Sequence, residues 1–394
     1  MHIWKDNRAI CFSYLCSLMA GIYIHIPFCK QACHYCDFHF STSQQYRPDL
    51  VQALAKEIAL QKHYLSGANI ETIYFGGGTP SLLEAGEITF LLDTIAQHYP
   101  ISSNAEITLE ANPDDLTRQK VQNLRQTPVN RFSIGIQSFF DEDLQWMNRA
   151  HRSNEAEISV KRVQDAGFSN ITTDLIYGYP LLTHEKWEHN MSMMFDLKVP
   201  HISAYSMTVE PRTALAAFIK KNQTPPVNDQ QSAEQFTRLM ERMQQQGFDH
   251  YEISNFGKPG HYSRHNSNYW MGVPYLGIGP SAHAFNGQAR QWNVANNARY
   301  LKALALNTIP AEVEQLSTTN RLNEYIMTSV RTIWGLNLDK LDAIASGSSP
   351  VLLKNARRFL TSNWLQQQGQ ALTLTPAGKL YADHIAAELF FEED

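Results

Sequence analysis

Between residues 22 and 206, short runs rich in β-branched and aromatic residues alternate with longer stretches of helical spacing. That order builds βα units side by side around a parallel sheet. Six runs read as strands: Ile22–Ile26, Thr72–Phe75, Glu106–Glu110, Phe132–Ile136, Ile171–Ile176 and Ile202–Ser206. The segments between them, such as Arg47–Leu65 and Asn154–Ala166, repeat their apolar positions at helical intervals. The expectation is an α/β fold, an incomplete (β/α)6 barrel or an open wound sheet, over residues 21–215.

In such sheets chemistry gathers beyond the C-terminal ends of the strands, where loops vary over a rigid scaffold. Three cysteines follow the first strand and Gly76-Gly77-Gly78-Thr79-Pro80 the second. Glu110 closes the third, Gln137 follows the fourth, Asp174 lies near the end of the fifth and Tyr205 near the end of the sixth. The distinctive residues therefore fall on one rim.

After Glu210-Pro211 the pattern changes. Residues 216–310 read as a connecting region, first Gln-rich and helical, then rich in Gly, Asn, Trp and Tyr. Residues 311–394 read as a smaller, mainly helical C-terminal domain: helices near Leu322–Thr332 and Leu352–Leu360 precede "WLQQQGQALTLTPAG", a hairpin with Gly369 at its turn, as in a winged helix. A length of 394 residues suits one large domain and a smaller one. A wing can bind DNA, but the net charge is -5, the domain offers little basic charge beyond Lys354, Arg357 and Arg358, and the tail is acidic. Nucleic acid is not an expected partner.

No apolar run approaches the roughly 18 residues of a membrane span. Residues 1–20 read as an extension of doubtful role, either a weak signal peptide with Lys5 and Arg8 ahead of Ile10–Ala20, or a segment preceding an internal start at Met19. Five cysteines, three of them within eight residues, do not make a disulfide framework, and a reducing compartment, the cytoplasm, fits better.

Those three, Cys29, Cys33 and Cys36, form a C-x3-C-x2-C run whose sulfurs share a small volume. Structural zinc wants four closed ligands, and His25, His34 or His39 would have to supply the fourth. An iron-sulfur cube also usually takes four cysteines, and with three, one iron keeps an open position.

The run, with an aromatic before its last cysteine, resembles the radical S-adenosylmethionine (SAM) superfamily. The resemblance implies a [4Fe-4S] cluster whose unique iron is chelated by the amino and carboxylate groups of SAM. It also implies cleavage of SAM by an electron from the cluster, giving methionine and a 5'-deoxyadenosyl radical. "YIHIPFC", "FGGGTPS", "RFSIGIQSF" and "DLIYGYP" narrow it to the branch containing oxygen-independent coproporphyrinogen III oxidase and a heme chaperone family. The SAM contacts it implies fall on Tyr23, Gly77, Gly78, Thr79, Glu110, Gln137, Arg149 and Asp174. Glycines allow close backbone approach, Glu110 suits ribose hydroxyls and Arg149 a carboxylate. Alone, Glu110 or Arg149 reads as a solvated or structural charge; their shared rim carries the argument.

Two glycine-rich stretches mean less. "FGGGTPS" lacks the Gly-Lys-Ser/Thr of a P-loop, and "GIGPSA" at 277–282 matches G-x-G-x-x-A but is broken by Pro280 and lacks a strand-to-helix context.

Within the branch, the oxidase resembles C-x3-C-x2-C-x-C, and here the last of those places holds Phe38. "RHNSNYW", residues 264–270, fits the H-N-x-x-Y-W motif of the chaperones, with His265 a candidate axial heme ligand and Tyr269 and Trp270 flat faces for the macrocycle. A plainer reading has His265 and Asn266 hydrogen-bonding a loop while the aromatics fill a core. The chaperone resemblance implies heme binding, delivery to apo-hemoproteins such as respiratory-chain proteins, and a homodimer linked to the cluster.

Overall fold

The structure, a computed structural model, describes residues 19–392. Cys11, Cys16 and the signal-peptide reading lie outside the described residues. Six parallel strands form the centre: β1 (Met19–Ile26), β2 (Asn69–Gly77), β3 (Ile101–Ala111), β4 (Arg131–Gln137), β5 (Ile171–Tyr177) and β6 (His201–Ser206). Each coincides with an expected strand. The crossovers include α1 (Arg47–Leu60), α2 (Ala85–His98), α3 (Arg118–Leu124), α4 (Ser153–Asp165) and α5 (His184–Asp196).

A strand's side chains alternate between faces. One face carries Ile22, Ile24, Ile73, Phe75, Leu109 and Phe132, all without solvent exposure, in the main hydrophobic core. The other carries Tyr23, Thr72, Tyr74, Glu106, Glu110, Arg131, Ser133, Thr172, Asp174 and His201, joined across strands by polar contacts such as Tyr74–Glu110, Ser133–Asp174 and Thr172–His201. Both faces of β4 are buried, because the inner face is covered as well.

The chain beyond β6 extends the sheet at both edges. After helix α6 (Asp229–Gln245), β7 (Asp249–Glu252) and β8 (Asn255–Gly257) attach antiparallel beside β6, and β9 (Tyr275–Ile278) runs parallel beside β1. β10 (His283–Phe285), β11 (Ala289–Asn293) and β12 (Ala311–Gln315) continue outward, antiparallel. The twelve-stranded sheet is ordered β12-β11-β10-β9-β1-β2-β3-β4-β5-β6-β8-β7.

Between β8 and β9, helix α7 (Arg264–Trp270) packs on the inner face. The backbone amides of Arg264 and His265 donate to Glu106 at 3.2 and 3.0 Å, and Glu106 lies 3.8 Å from the Arg131 guanidinium, both nearly without exposure. Paired in this way, the buried charges hold α7 against the floor of the sheet.

From residue 318 a second apolar cluster forms among α8 (Thr318–Val330), α9 (Ser348–Thr361), α10 (Ala382–Glu388) and a three-stranded antiparallel sheet. That sheet is ordered β13 (Leu336–Asn337), β15 (Ala371–Leu374), β14 (Leu365–Gln368). Its hairpin turns at Gly369, φ +59°, a winged-helix-like arrangement. Ile253 packs against both clusters and joins them.

Candidate functional site

The three cysteines lie half-buried and unpaired in the loop after β1. The loop is pinned at both ends: Phe28 is fully buried, and the Cys29 amide donates to the Ser41 carbonyl at 3.0 Å. In its middle, the His34 amide meets the Met147 carbonyl and Asn148 donates to the Ala32 carbonyl at 2.7 Å. Burial raises the Cys29 and Cys36 thiols above their ordinary range, Cys36 to about 12. For Cys29 a hydrogen bond from Thr79 works in the opposite sense.

Thiols crowded and desolvated in this way give up their protons readily only when a cation binds. Among the described residues no three His, Cys, Asp or Glu side chains converge on one point as a single tetrahedral ion requires. The histidines weighed for zinc are engaged: His25 with Tyr23 and the His39 carbonyl, His34 with the Trp146 carbonyl, His39 with Asn297. A cubane asks less of the geometry, since each thiolate meets its own iron.

Beside the loop, the expected SAM contacts gather at the strand ends. Gly77 takes φ +104°, and a Cβ on Gly78 would lie 2.6 Å from the Phe28 carbonyl, so glycine lets β2 turn against the cysteine loop. Thr79 is buried and accepts from Asn112 at 3.1 Å. Glu110 accepts from the Tyr74 hydroxyl at 2.7 Å, and burial pushes its carboxyl up to about 7, with Asp174 adding to the rise. Asp174 rises to about 6, again chiefly by burial. Gln137 sits at φ +68° with a buried Oε1 that has no partner.

Arg149 reaches Asn112 at 2.7 Å, the Gly135 carbonyl at 2.8 Å and the Cys33 sulfur at 3.5 Å, while its Nε is buried without a partner. Tyr23 lies at the loop's other side, its hydroxyl 3.2 Å from His25. Orphaned buried polar atoms, two carboxyls held above their ordinary range and a glycine-cleared approach beside three thiols fit a polar cationic cosubstrate next to a cluster.

His265 sits deeper than a free ligand would. It is buried, its Nδ1 lies 2.8 Å from Thr72 Oγ1 and its Nε2 2.8 Å from the Tyr269 hydroxyl, and its ring stacks on Tyr74. Burial and the Arg131 charge lower its pKa to about 3. Its motif partners Tyr269 and Trp270 reach a cavity of about 860 Å³ between the sheet edge and the C-terminal helices. Tyr23, Asp37, Phe38 and His39 of the cysteine-loop region form another of its walls.

A wound parallel sheet with a three-cysteine loop at its C-terminal rim is the architecture of a radical SAM protein, and the Radical SAM superfamily model matches residues 23–194. The coproporphyrinogen III oxidase HemN from Escherichia coli, described as a radical SAM enzyme, shares the fold at a TM-score of 0.82 over 98% of this chain and 94% of its own, with 20% identity. The heme chaperone HemW of Bacillus subtilis is 33% identical over 375 residues, 93% of this chain and 98% of that protein. The heme chaperone HemW of Escherichia coli is 30% identical over 381 residues, 95% and 98% of the two chains. The chain belongs to the HemW family of the radical SAM superfamily.

Several site residues escaped the sequence reading. Asn112, which bridges Thr79 and Arg149, is signalled only by its place just past β3. Tyr74 and the Arg131–Glu106 pair give no sign, because nothing local in sequence shows which face of a strand is covered.

Proposed function

We propose that this chain is a heme chaperone that carries a SAM-ligated [4Fe-4S] cluster on Cys29, Cys33 and Cys36, binds heme in the adjoining cavity and delivers it to apo-hemoproteins. The observation that carries the reading is the continuity of the cysteine loop with an apolar cavity of about 860 Å³, inside the span of roughly 300–1,000 Å³ usual for ligand pockets. Phe38 lines that cavity, exposed, at the place where the oxidase pattern has a further cysteine. When bound, the cluster supplies an iron with a coordination position open to SAM and a source of one electron.

The chain's own residues do the rest. Gly77 and Gly78 clear the approach, Thr79 orients Cys29, and Arg149 stands against Cys33 as a fixed positive charge. Glu110, Asp174 and Gln137 offer acceptors for hydroxyl and ammonium groups of SAM. His265, expected as an axial ligand, would have to break its bond to Tyr269 to reach iron. The cytoplasm, respiratory-chain hemoproteins as acceptors, and a homodimer belong to the same reading. Among the described residues no helix is long and apolar enough to cross a membrane.

The test is transfer. The reconstituted chain, loaded with heme, is mixed with an apo-hemoprotein, and the acceptor's spectrum is followed. Transfer faster than from free heme supports the reading. Multiple turnovers of coproporphyrinogen III to a vinyl-bearing product, with reductant and SAM, would establish the oxidase instead.

A further inference from the structure

A second cavity, of about 640 Å³, lies between the sheet and the C-terminal domain. One wall is Tyr177 and Ser206, at the ends of β5 and β6. Side chains alternate along a strand, so these two stand on the face opposite Asp174 and Tyr205, with the sheet between this cavity and the inner face. The first turns of α6 add Ser232 and Phe236, whose ring stacks on Tyr177. Residues 379–384 of the C-terminal domain close the other side.

Local sequence builds that last wall. In "TPAGKLY", Thr375 caps a single helical turn, Pro376–Lys379, by accepting from the Gly378 amide at 3.1 Å. A Cβ on Gly378 would lie 1.9 Å from the Trp364 carbonyl, so glycine lets the turn sit against the hairpin, and Tyr381 then stacks on the Trp364 ring. The turn delivers Lys379 to the cavity.

The Lys379 ammonium is poorly matched there. Among the described residues its one hydrogen bond goes to the His250 carbonyl at 3.4 Å, and it joins no ion pair. The acidic groups around it are engaged or distant in solvent: Glu252 accepts from the Ser254 amide and Asn255, Asp383 is held by Arg331, and Asp229 is exposed at the start of α6. Of the histidines, His250 is kept neutral by burial, with its pKa lowered to about 3, and His384 packs its ring edge-on to Phe359. Ser232 Oγ, in the facing wall, is buried without a partner. An under-bonded ammonium beside an unpaired hydroxyl in a mostly apolar cavity calls for an anion. With one cation present, and Asp229 and Asp383 on the walls, a single negative charge on an apolar body fits, whereas a dianion such as phosphate is repelled.

We propose that this cavity binds a small monocarboxylate with an aromatic or aliphatic body, its carboxylate on the Lys379 ammonium and its apolar part against Tyr177, Phe236 and Tyr381. The inference is independent of the heme reading. Because the walls come from both parts of the chain, such a ligand also ties the C-terminal domain to the sheet. Burial lowers the Lys379 pKa to about 8, with Glu252 opposing the shift, so the site holds its charge at neutral pH and loses it above that value.

The test titrates 4-fluorobenzoate into the full chain and follows fluorine-19 line width. We expect saturable binding at pH 7 with a dissociation constant of about 1 mM or below, and 4-fluorobenzyl alcohol, the same body without the charge, at least about tenfold weaker. Lys379→Met should weaken 4-fluorobenzoate by about tenfold or more. Wild-type affinity should fall as pH rises through about 8, because the carboxylate meets only the ammonium, and Lys379→Arg should bind without that fall. No saturable binding by the wild-type chain, wild-type affinity in Lys379→Met, or a wild-type affinity flat across that pH range overturns the proposal.

Discussion

At the floor of the inner sheet face, Arg131 faces Glu106 at 3.8 Å, Glu106 receives two backbone amides of α7, and both His265 nitrogens have partners. At the rim of that face, Glu110 and Asp174 have no ion-pair partner among the described residues, and Gln137 and Arg149 keep buried atoms without a hydrogen bond. Arg131 Nε at the floor also lacks a hydrogen bond, but there the charge is matched by Glu106 and the guanidinium donates to Thr172. Similar residue types serve two ends. A buried charge matched inside the protein fixes structure, whereas one left unmatched costs stability unless something else binds it. The floor holds α7, and the rim is where the proposed function puts a ligand.

The largest effect that would break this contrast concerns the cysteines. Replacing Cys29, Cys33 or Cys36 by Ala should reduce iron from about four per chain to near zero in protein reconstituted without oxygen, as measured by iron and sulfide analysis. Stoichiometric zinc in the wild-type chain instead would end the cluster account.

Next comes the floor. Arg131→Met leaves Glu106 buried without its cation and should lower unfolding free energy by about 3–5 kcal/mol in urea melts. Glu110→Gln at the rim removes no ion pair and should stay within about 1 kcal/mol of wild type. Equal losses at both positions would erase the difference between the two ends.

The pH dependence of Glu110 sharpens the same point. Its carboxyl, facing Tyr74 and Asp174 and raised to about 7 by burial, binds its proton more tightly folded than unfolded. Its contribution to stability is therefore full below the unfolded value and is lost as pH rises through about 7. Without ligand, wild type should lose stability relative to Glu110→Gln across that window. On the proposed reading, in which SAM meets the ionised Glu110, SAM should bind more tightly as pH rises through that window, and the rise should be absent in Glu110→Gln.

The smallest effect belongs to the mouth of the cavity. Phe38→Ser should leave iron content unchanged and SAM affinity within about twofold, while weakening hemin binding severalfold through lost apolar contact, as read by Soret titration.

The six central strands were legible because helical and extended periods alternate along one stretch of chain, and the C-terminal hairpin because Gly369 marks its turn. The rim was legible for a related reason, since most of its residues sit on those strands toward their C-terminal ends or in the loops that follow. The covered inner face was not. Arg131 opens "RFSIGIQ" like any strand-edge charge, and only α7, arriving from more than a hundred residues away, explains its burial. The cavity was hidden too, because its walls come from the cysteine loop, the segment around β9–β10 and the C-terminal helices, which no sequence window spans. Tyr269 and Trp270 line the cavity, while His265, between them and the sheet, points inward.

The most direct test uses protein reduced without oxygen and SAM carrying nitrogen-15 in its amino group, with electron paramagnetic resonance of the cluster before and after addition. The account predicts an altered spectrum at one SAM per cluster and a resolved coupling to the label. An unchanged spectrum, or a coupling from a protein nitrogen already present before SAM is added, would contradict it.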